Sequence, residues 1–297
     1  MKDFVILTDS CSDLDKEQRE KYGIKEYVKP CFTIDGKEYA ADLDGIGLGL
    51  KEFYDIVRSG KKIYTAQANV AQYTEVFEKY ILEGYDILSI SCSSALSASV
   101  KSSYVARDAL LKKYPEAKII CIDTLRASSG LGLLCARASE LKAEGKSIDE
   151  IAEWIEEHKL NVHQMGVVDS LVYLRRAGRV SAAKAFFGGL LNIKPVIIAG
   201  ANGANIATEK VKGRAASLLH VAKRVAEEYV SVPYGKIFIS HADCYEDAIT
   251  LKNAILDLIP DKDIEFHISY VTPVIGASTG PGMIGAYYYG EKVTITE

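Results

Sequence analysis

FVILTDSCSDL, residues 4–14, opens with four consecutive apolar side chains and closes in a cluster of hydroxyls and carboxylates. A short apolar run bounded by polar residues reads as a strand buried on both faces. YDILSIS (85–91) and AKIICID (117–123) repeat the pattern. Amphipathic helical spacing fills 15–22, 50–58, 70–83, 99–114 and 126–144. Strands alternating with helices predict a parallel sheet covered on both faces, a three-layer α/β domain. Two strands end in polar clusters, Thr8-Asp9-Ser10 and Ser91-Cys92-Ser93-Ser94. Carboxyl ends of strands form the binding crevice in open α/β sheets, so both clusters are expected on one edge.

The second half reads differently. A helix over 148–160 precedes the strand QMGVVD (164–169), which places a domain boundary between 160 and 161. The expected organisation is an N-terminal α/β domain, 1–160, and a C-terminal α/β domain, 161–297. Within the latter, a basic helix-like piece (171–191) is followed by the strand KPVIIAG and a hairpin turning at Ala201-Asn202-Gly203-Ala204-Asn205. Helices at 214–230 and 246–258 flank the strand IFISHA, and IEFHISYVTPVI (264–275) reads as a further strand. Hairpins among crossovers predict a mixed sheet.

With 297 residues, 48% apolar and 26% charged, the chain has ordinary globular composition. A net charge of −4 argues against a broad nucleic-acid footprint. Six cysteines without a C-x-x-C pair are expected as reduced thiols. The apolar run before Thr8 is too short for a signal peptide, and nothing approaches 18 consecutive apolar residues. The expected location is cytoplasmic, without integral membrane association.

GASTGPGMIG (276–285) satisfies two motifs that imply different chemistry. As G-x-S-x-G it would present Ser278 as a nucleophile, but the following residues contain neither His nor Asp, only Glu291 and Glu297. As G-x-G-x-x-G it lies 12 residues from the end of the sequence, with no room for the βαβ unit and ribose-binding acid that a dinucleotide needs. His241-Ala-Asp243-Cys244 lacks a metal partner set at recognisable spacing. Tyr287-Tyr288-Tyr289 is expected to alternate between core and solvent along a strand. What remains is a distribution of small hydroxyls at strand ends and loops: Thr8, Ser10 and Ser12; Thr65; Ser93, Ser94 and Ser97; Ser278 and Thr279. Such groups suit an anionic head group beside an apolar cavity, with helix capping as the competing role at Ser10 and Ser94.

Taken in order, TDSCSDL (8–14), TAQAN (65–69), SSALSAS (93–99), IDTLRASSGLGLL (122–134), LVYLRRAGRVS (171–181), KPV (194–196), HAD (241–243) and GASTGPG (276–282) resemble the successive signatures of the DegV family. The resemblance implies a two-domain bacterial protein that buries one long-chain fatty acid and presents its carboxylate to a separate fatty acid kinase. It implies no catalysis by the chain itself, no cofactor and no metal. By position, Thr65, Ser93 and Ser94 match the carboxylate-binding loops, with Ser97, Ser278 and Thr279 at the same site. Phe186, Phe187, Leu190, Leu191 and Ile193 are candidates for the apolar tunnel, and Arg175, Arg176 and Arg179 for docking the kinase. Three positions depart from the family pattern: Ser278 replaces a histidine, TAQAN stands for TSQPS, and Ser97-Ala98-Ser99 stands for SGT. The glycines of GASTGPG are expected to bring backbone close to the head group, and Ser278 to donate a hydrogen bond. A sugar or phosphosugar ligand, from a wider likeness to dihydroxyacetone kinase domains, and a serine hydrolase using Ser278 or Ser94 are the alternatives.

Overall fold

The computed structural model describes residues 2–181, 192–259 and 263–296. In the first half, strands β1 (Phe4–Asp9), β2 (Tyr27–Val28), β3 (Cys31–Ile34), β4 (Lys37–Ala40), β5 (Ile63–Ala66), β6 (Asp86–Ser91) and β7 (Ile119–Asp123) alternate with helices. These are α1 (Lys16–Lys21), α2 (Leu50–Arg58), α3 (Val70–Leu82), α4 (Ser99–Lys113), α5 (Ser129–Ala143) and α6 (Ile148–His158). The three apolar runs, with the two-residue β2 at one edge, form a wholly parallel sheet in the order β2-β1-β6-β7. Every residue of β6 is buried, as covering on both faces requires.

A second, antiparallel sheet of β4-β3-β5 stands apart from it. These strands are absent from the expectation because each spans only four residues, and β4 and β5 are largely exposed, so no long apolar run marks them and the alternation of β3 is too short to stand out. The β3–β4 turn does carry a signal: Asp35-Gly36, both at positive φ, is the pair a two-residue hairpin favours.

The second half contains β8 (Val162–Val167), α7 (Val172–Ala177), β9 (Ile193–Ala199), β10 (Asn205–Lys212), α8 (Arg214–Glu228), β11 (Lys236–His241), α9 (Tyr245–Leu258), β12 (Glu265–Tyr270), α10 (Pro273–Thr279) and β13 (Ile284–Tyr289). They build a mixed six-stranded sheet, β10-β9-β8-β13-β11-β12, in which β11 and β12 are parallel and the other pairs antiparallel. The strand expected to run to residue 275 stops at Tyr270. Thr272 is the N-cap of α10, and Pro273 opens that helix where its missing N–H costs nothing. Tyr287, Tyr288 and Tyr289 are all buried, against the expected alternation with solvent. β13 lies inside the sheet, so Tyr287 and Tyr289 join one core cluster and Tyr288 another.

Helix α5 joins the two sheets, packing on β1 and β6 from one side and on β8, β11 and β13 from the other. Leu131, Leu133 and Leu134 are buried there; full burial of each contributes about 1.5–3 kcal/mol. Its glycines permit the approach: a Cβ on Gly130 would sit 3.2 Å from the Tyr287 ring, and one on Gly132 2.8 Å from the Ser12 carbonyl. Just before it, the buried guanidinium of Arg126 donates to the carbonyls of Leu125 (2.7 Å), Val162 (2.5 Å) and Gly200 (3.1 Å), tying the two halves together. Burial pushes its pKa down to about 10.

Candidate functional site

A cavity of about 240 Å³ lies where the carboxyl ends of β1 and β6 face the second half of the chain. Its deep wall includes Cys11, inside the short turn after β1, and Cys92, the first residue after β6, together with Ser128 and Tyr287. The carboxylate of Asp9 holds this wall in place. It accepts the N–H of Cys11 (2.9 Å) through one oxygen and the N–H of Cys92 (3.0 Å) through the other. Asp9 is fully buried, and that burial raises its pKa. The Cys11 thiol is held well above its usual range by Cys92, by burial and by Asp9, which keeps it protonated and unreactive.

The rim is built from other loops. Thr65 and Gln67 come from the end of β5 and the turn after it, and Ser97 from the loop after β6. The Ser97 hydroxyl lies 2.9 Å from that of Ser99, which in turn accepts the Ala68 N–H at 3.0 Å, so the two rim segments are locked together. Asn69, the last residue of TAQAN, caps α3 in a reciprocal box with Gln72. Arg179 is the charged residue among the described lining, and its Nε donates to the Leu96 carbonyl at 2.9 Å. Gln164 donates to Asn205 (3.1 Å), whose amide donates to the Arg179 carbonyl (3.1 Å).

Ser278 and Thr279 also line the cavity, from the last turn of α10. A nucleophile elbow requires a sharp strand-to-helix turn. Ser278 instead sits inside a helix, with its hydroxyl directed back to the Val274 carbonyl at 3.4 Å. The glycines around it serve protein packing rather than a ligand, which corrects the expectation. A Cβ on Gly276 would lie 2.5 Å from the Tyr54 hydroxyl, and one on Gly280 or Gly282, both at φ +77, would overlap Tyr173 or Asp169.

Of the other sequence-predicted residues, Ser93 and Ser94 lie outside the lining. The Ser93 hydroxyl is spent on the Gly203 carbonyl (2.9 Å), clamping the 201–205 turn, and the Ser94 N–H donates to Asp123 (3.1 Å). Arg175 and Arg176 are exposed on the last turn of α7, away from the lining. Ile193 pairs with Lys212 at the start of β9 and does not reach the cavity. Phe186, Phe187, Leu190 and Leu191 lie outside the described residues. Gln164 and Asn205 read from the sequence only as a strand and a hairpin turn, whereas Gln67, Cys92 and Ser128 stand inside the motifs and the polar cluster that supply the candidate hydroxyls.

Among the described residues no group of three His, Cys, Asp or Glu side chains could hold a metal. His241 is neutral: Cys244 N donates to its Nδ1 at 3.2 Å, and burial pushes its pKa down to about 4. Among the described residues no helix is long and apolar enough to cross a membrane.

Fold and site together define a two-domain α/β protein with a cavity of about 240 Å³ between its sheets. The chain belongs to the DegV family, whose model, described as an uncharacterised protein of that family, matches residues 3–291. It is 41% identical over 291 residues to a DegV domain-containing protein of Clostridium perfringens, covering 98% of this chain and 99% of the relative. Three solved structures are similar to it. They are a DegV lipid binding protein from Thermotoga maritima (25% identity, TM-score 0.85, covering 98% of this chain and 100% of that one), a fatty-acid-binding DegV family protein from Thermus thermophilus (27%, 0.85, 98% and 100%) and DegV, a fatty acid binding protein from Bacillus subtilis (25%, 0.82, 98% and 100%).

Proposed function

We propose that this protein is a cytoplasmic carrier that binds one long-chain fatty acid in the interdomain cavity and presents its carboxylate to a separate fatty acid kinase, without catalysis of its own. The boundary of its two units is drawn at 160/161, between α6 and β8. The observation that carries the reading is the lining among the described residues: hydroxyls and carboxamides with one guanidinium, no carboxylate, and apolar side chains such as Leu174, Val274, Ile275 and Met283 beside them. That combination suits an anion with a hydrocarbon tail, and the relatives from Thermotoga, Thermus and Bacillus are described as binding lipid or fatty acid.

Burial of about 14 methylenes at ~0.8 kcal/mol each contributes roughly 11 kcal/mol before association entropy is subtracted. The head group then needs charge-assisted hydrogen bonds of about 1.5–3 kcal/mol each to offset its desolvation. Thr65, Gln67, Ser97, Ser278 and Arg179 are assigned that task, with Thr279 beside them. Ser93 and Ser94 support the loop that carries Ser97. Arg175 and Arg176, exposed on the last turn of α7, are assigned to the kinase contact.

Native mass spectrometry of the freshly purified protein, followed by solvent extraction, tests this reading. A stoichiometric long-chain fatty acid is the expected result. A protein that stays empty when oleate is added, and instead binds dihydroxyacetone or a phosphosugar, would overturn it.

A further inference from the structure

Asp13 lies in the wall between two cavities and joins both halves of the chain. It is 2% exposed and follows the short turn after β1 in a left-handed conformation, φ 51. One carboxylate oxygen accepts the backbone N–H of Thr272 (2.9 Å) and the Thr272 hydroxyl (2.7 Å), at the N-cap of α10, the helix that carries Ser278 and Thr279. The other oxygen accepts the hydroxyl of Ser128. Ser128 lines the ligand cavity and is itself at positive φ, 54, at the N-cap of α5. A single hydrogen bond therefore separates Asp13 from the cavity wall.

Among the described residues, the groups that face Asp13 bring no cation. Asp9 and Cys11 lie on its own segment, Tyr54 faces it from α2 and Tyr287 from β13. His241, neutral as described, and Asp15 share with it a second cavity of about 150 Å³, and Asp15 is paired with His267. Burial is the main cause that raises the Asp13 carboxyl to about 7, with Asp9 adding to the effect.

A serine hydroxyl has one proton to give. While Asp13 is ionised, the Ser128 proton is committed to it, and Ser128 turns only lone pairs toward the cavity. Once Asp13 takes up a proton, it can donate to Ser128, and the Ser128 proton is released from it, free to turn from the Ser240 hydroxyl 3.1 Å away toward a ligand. We propose that Ser128 is a head-group donor switched by Asp13, so that an anionic ligand enters the cavity together with one proton. The proton comes from solvent and ends on the Asp13 carboxyl; no bond of the ligand changes. This inference rests on the fatty-acid reading and extends it to two residues assigned no ligand role there, Ser128 touching the head group and Asp13 positioning it.

The sign follows from linkage. A ligand that favours protonated Asp13 raises its pKa further, so affinity falls as pH rises through and above 7. A one-unit rise corresponds to roughly half a proton taken up near pH 7.5, and to about a tenfold total loss of affinity across the transition.

Calorimetric titration of the delipidated full chain with oleate, in phosphate and in Tris at about pH 7.5, reads the protons taken up per ligand. The unmodified protein should show the uptake. Asp13→Asn, whose amide can donate to Ser128 permanently, should bind oleate without proton uptake and with an affinity that no longer changes with pH. Ser128→Ala should bind more weakly and take up less; if Asp13→Asn fails to fold, its pH profile decides. Oleate binding without uptake, or undiminished uptake in Asp13→Asn, which would place the proton on the ligand, would overturn the inference alone. An unmodified protein that does not bind oleate would overturn the carrier reading with it.

Discussion

The floor and the rim of the cavity are built from similar residue types and do opposite things. At the floor, Asp9 and Asp13 are buried, have no cationic partner, and hold strand ends and helix caps through backbone N–H groups and hydroxyls. At the rim, Thr65, Gln67 and Arg179 are exposed, and Arg179 brings a charge that no carboxylate among the described residues neutralises. A carboxylate costs most to disturb where it organises backbone; a guanidinium matters most where it waits for an anion. Floor substitutions should therefore change stability, and rim substitutions should change affinity.

The sharpest way to break that contrast is Asp9→Ala, which leaves the buried N–H groups of Cys11 and Cys92 unsatisfied at about 1–3 kcal/mol each. A loss of roughly 2–5 kcal/mol, seen as a lower urea midpoint, is expected. An unchanged midpoint would mean that the floor is not organised by this carboxylate. Arg179→Gln tests the other side. It should weaken fatty acid binding by about tenfold or more, the value of a charge-assisted hydrogen bond, while leaving binding of the matching fatty alcohol and the urea midpoint close to unchanged. Equal losses for acid and alcohol would assign Arg179 to packing.

The two serines of SSALSAS extend the comparison to smaller effects. Ser93→Ala removes a buried donor to Gly203 and should lower stability by about 1–2 kcal/mol. Ser97→Ala, at the rim, should chiefly weaken ligand binding, by about 0.5–1.5 kcal/mol. If Ser93→Ala instead weakened binding with no loss of stability, the floor-and-rim division would fail within this loop.

These same serines explain how far the sequence could be read. The parallel sheet was legible because β1, β6 and β7 are buried on both faces, which makes each a continuous apolar run. The β4-β3-β5 sheet was not, since its strands are only four residues long and two of them are largely exposed, which leaves the short alternation of β3 nothing to stand out against. Motif order located the cavity, yet hydroxyl identity could not divide its serines into structural and lining members. Ser93 turns to Gly203 and Ser97 to the cavity because of a turn that β9 and β10 bring from 110 residues away. Gln164 and Asn205 were invisible for the same reason, since only tertiary pairing sets them beside Arg179. The glycines of GASTGPG drew attention correctly and were explained incorrectly: the close approach they permit is to Tyr54, Tyr173 and Asp169.

The smallest expected effect is a cancellation. His241 is buried neutral, its pKa pushed down to about 4, below the ordinary 6.5. The unfolded chain therefore binds more protons at that residue between pH 4 and 6.5, and stability from this source is lost as pH falls through the interval. Asp13 works in the other direction. Its folded pKa is raised from 3.8 to about 7, so the folded chain binds more protons there, and stability is lost as pH rises. Over the shared interval the two slopes oppose each other, and their combined contribution to stability should be nearly flat. Asp13→Asn removes one slope and leaves the other. Its urea midpoint should rise with pH between pH 4 and 6.5 relative to the unmodified protein, and His241→Gln should show the reverse trend. If the two variants changed in the same direction, one of these side chains would have the opposite charge state in the folded protein, and the protonation of Asp13 on which the proton-linked donor depends would have to be redrawn.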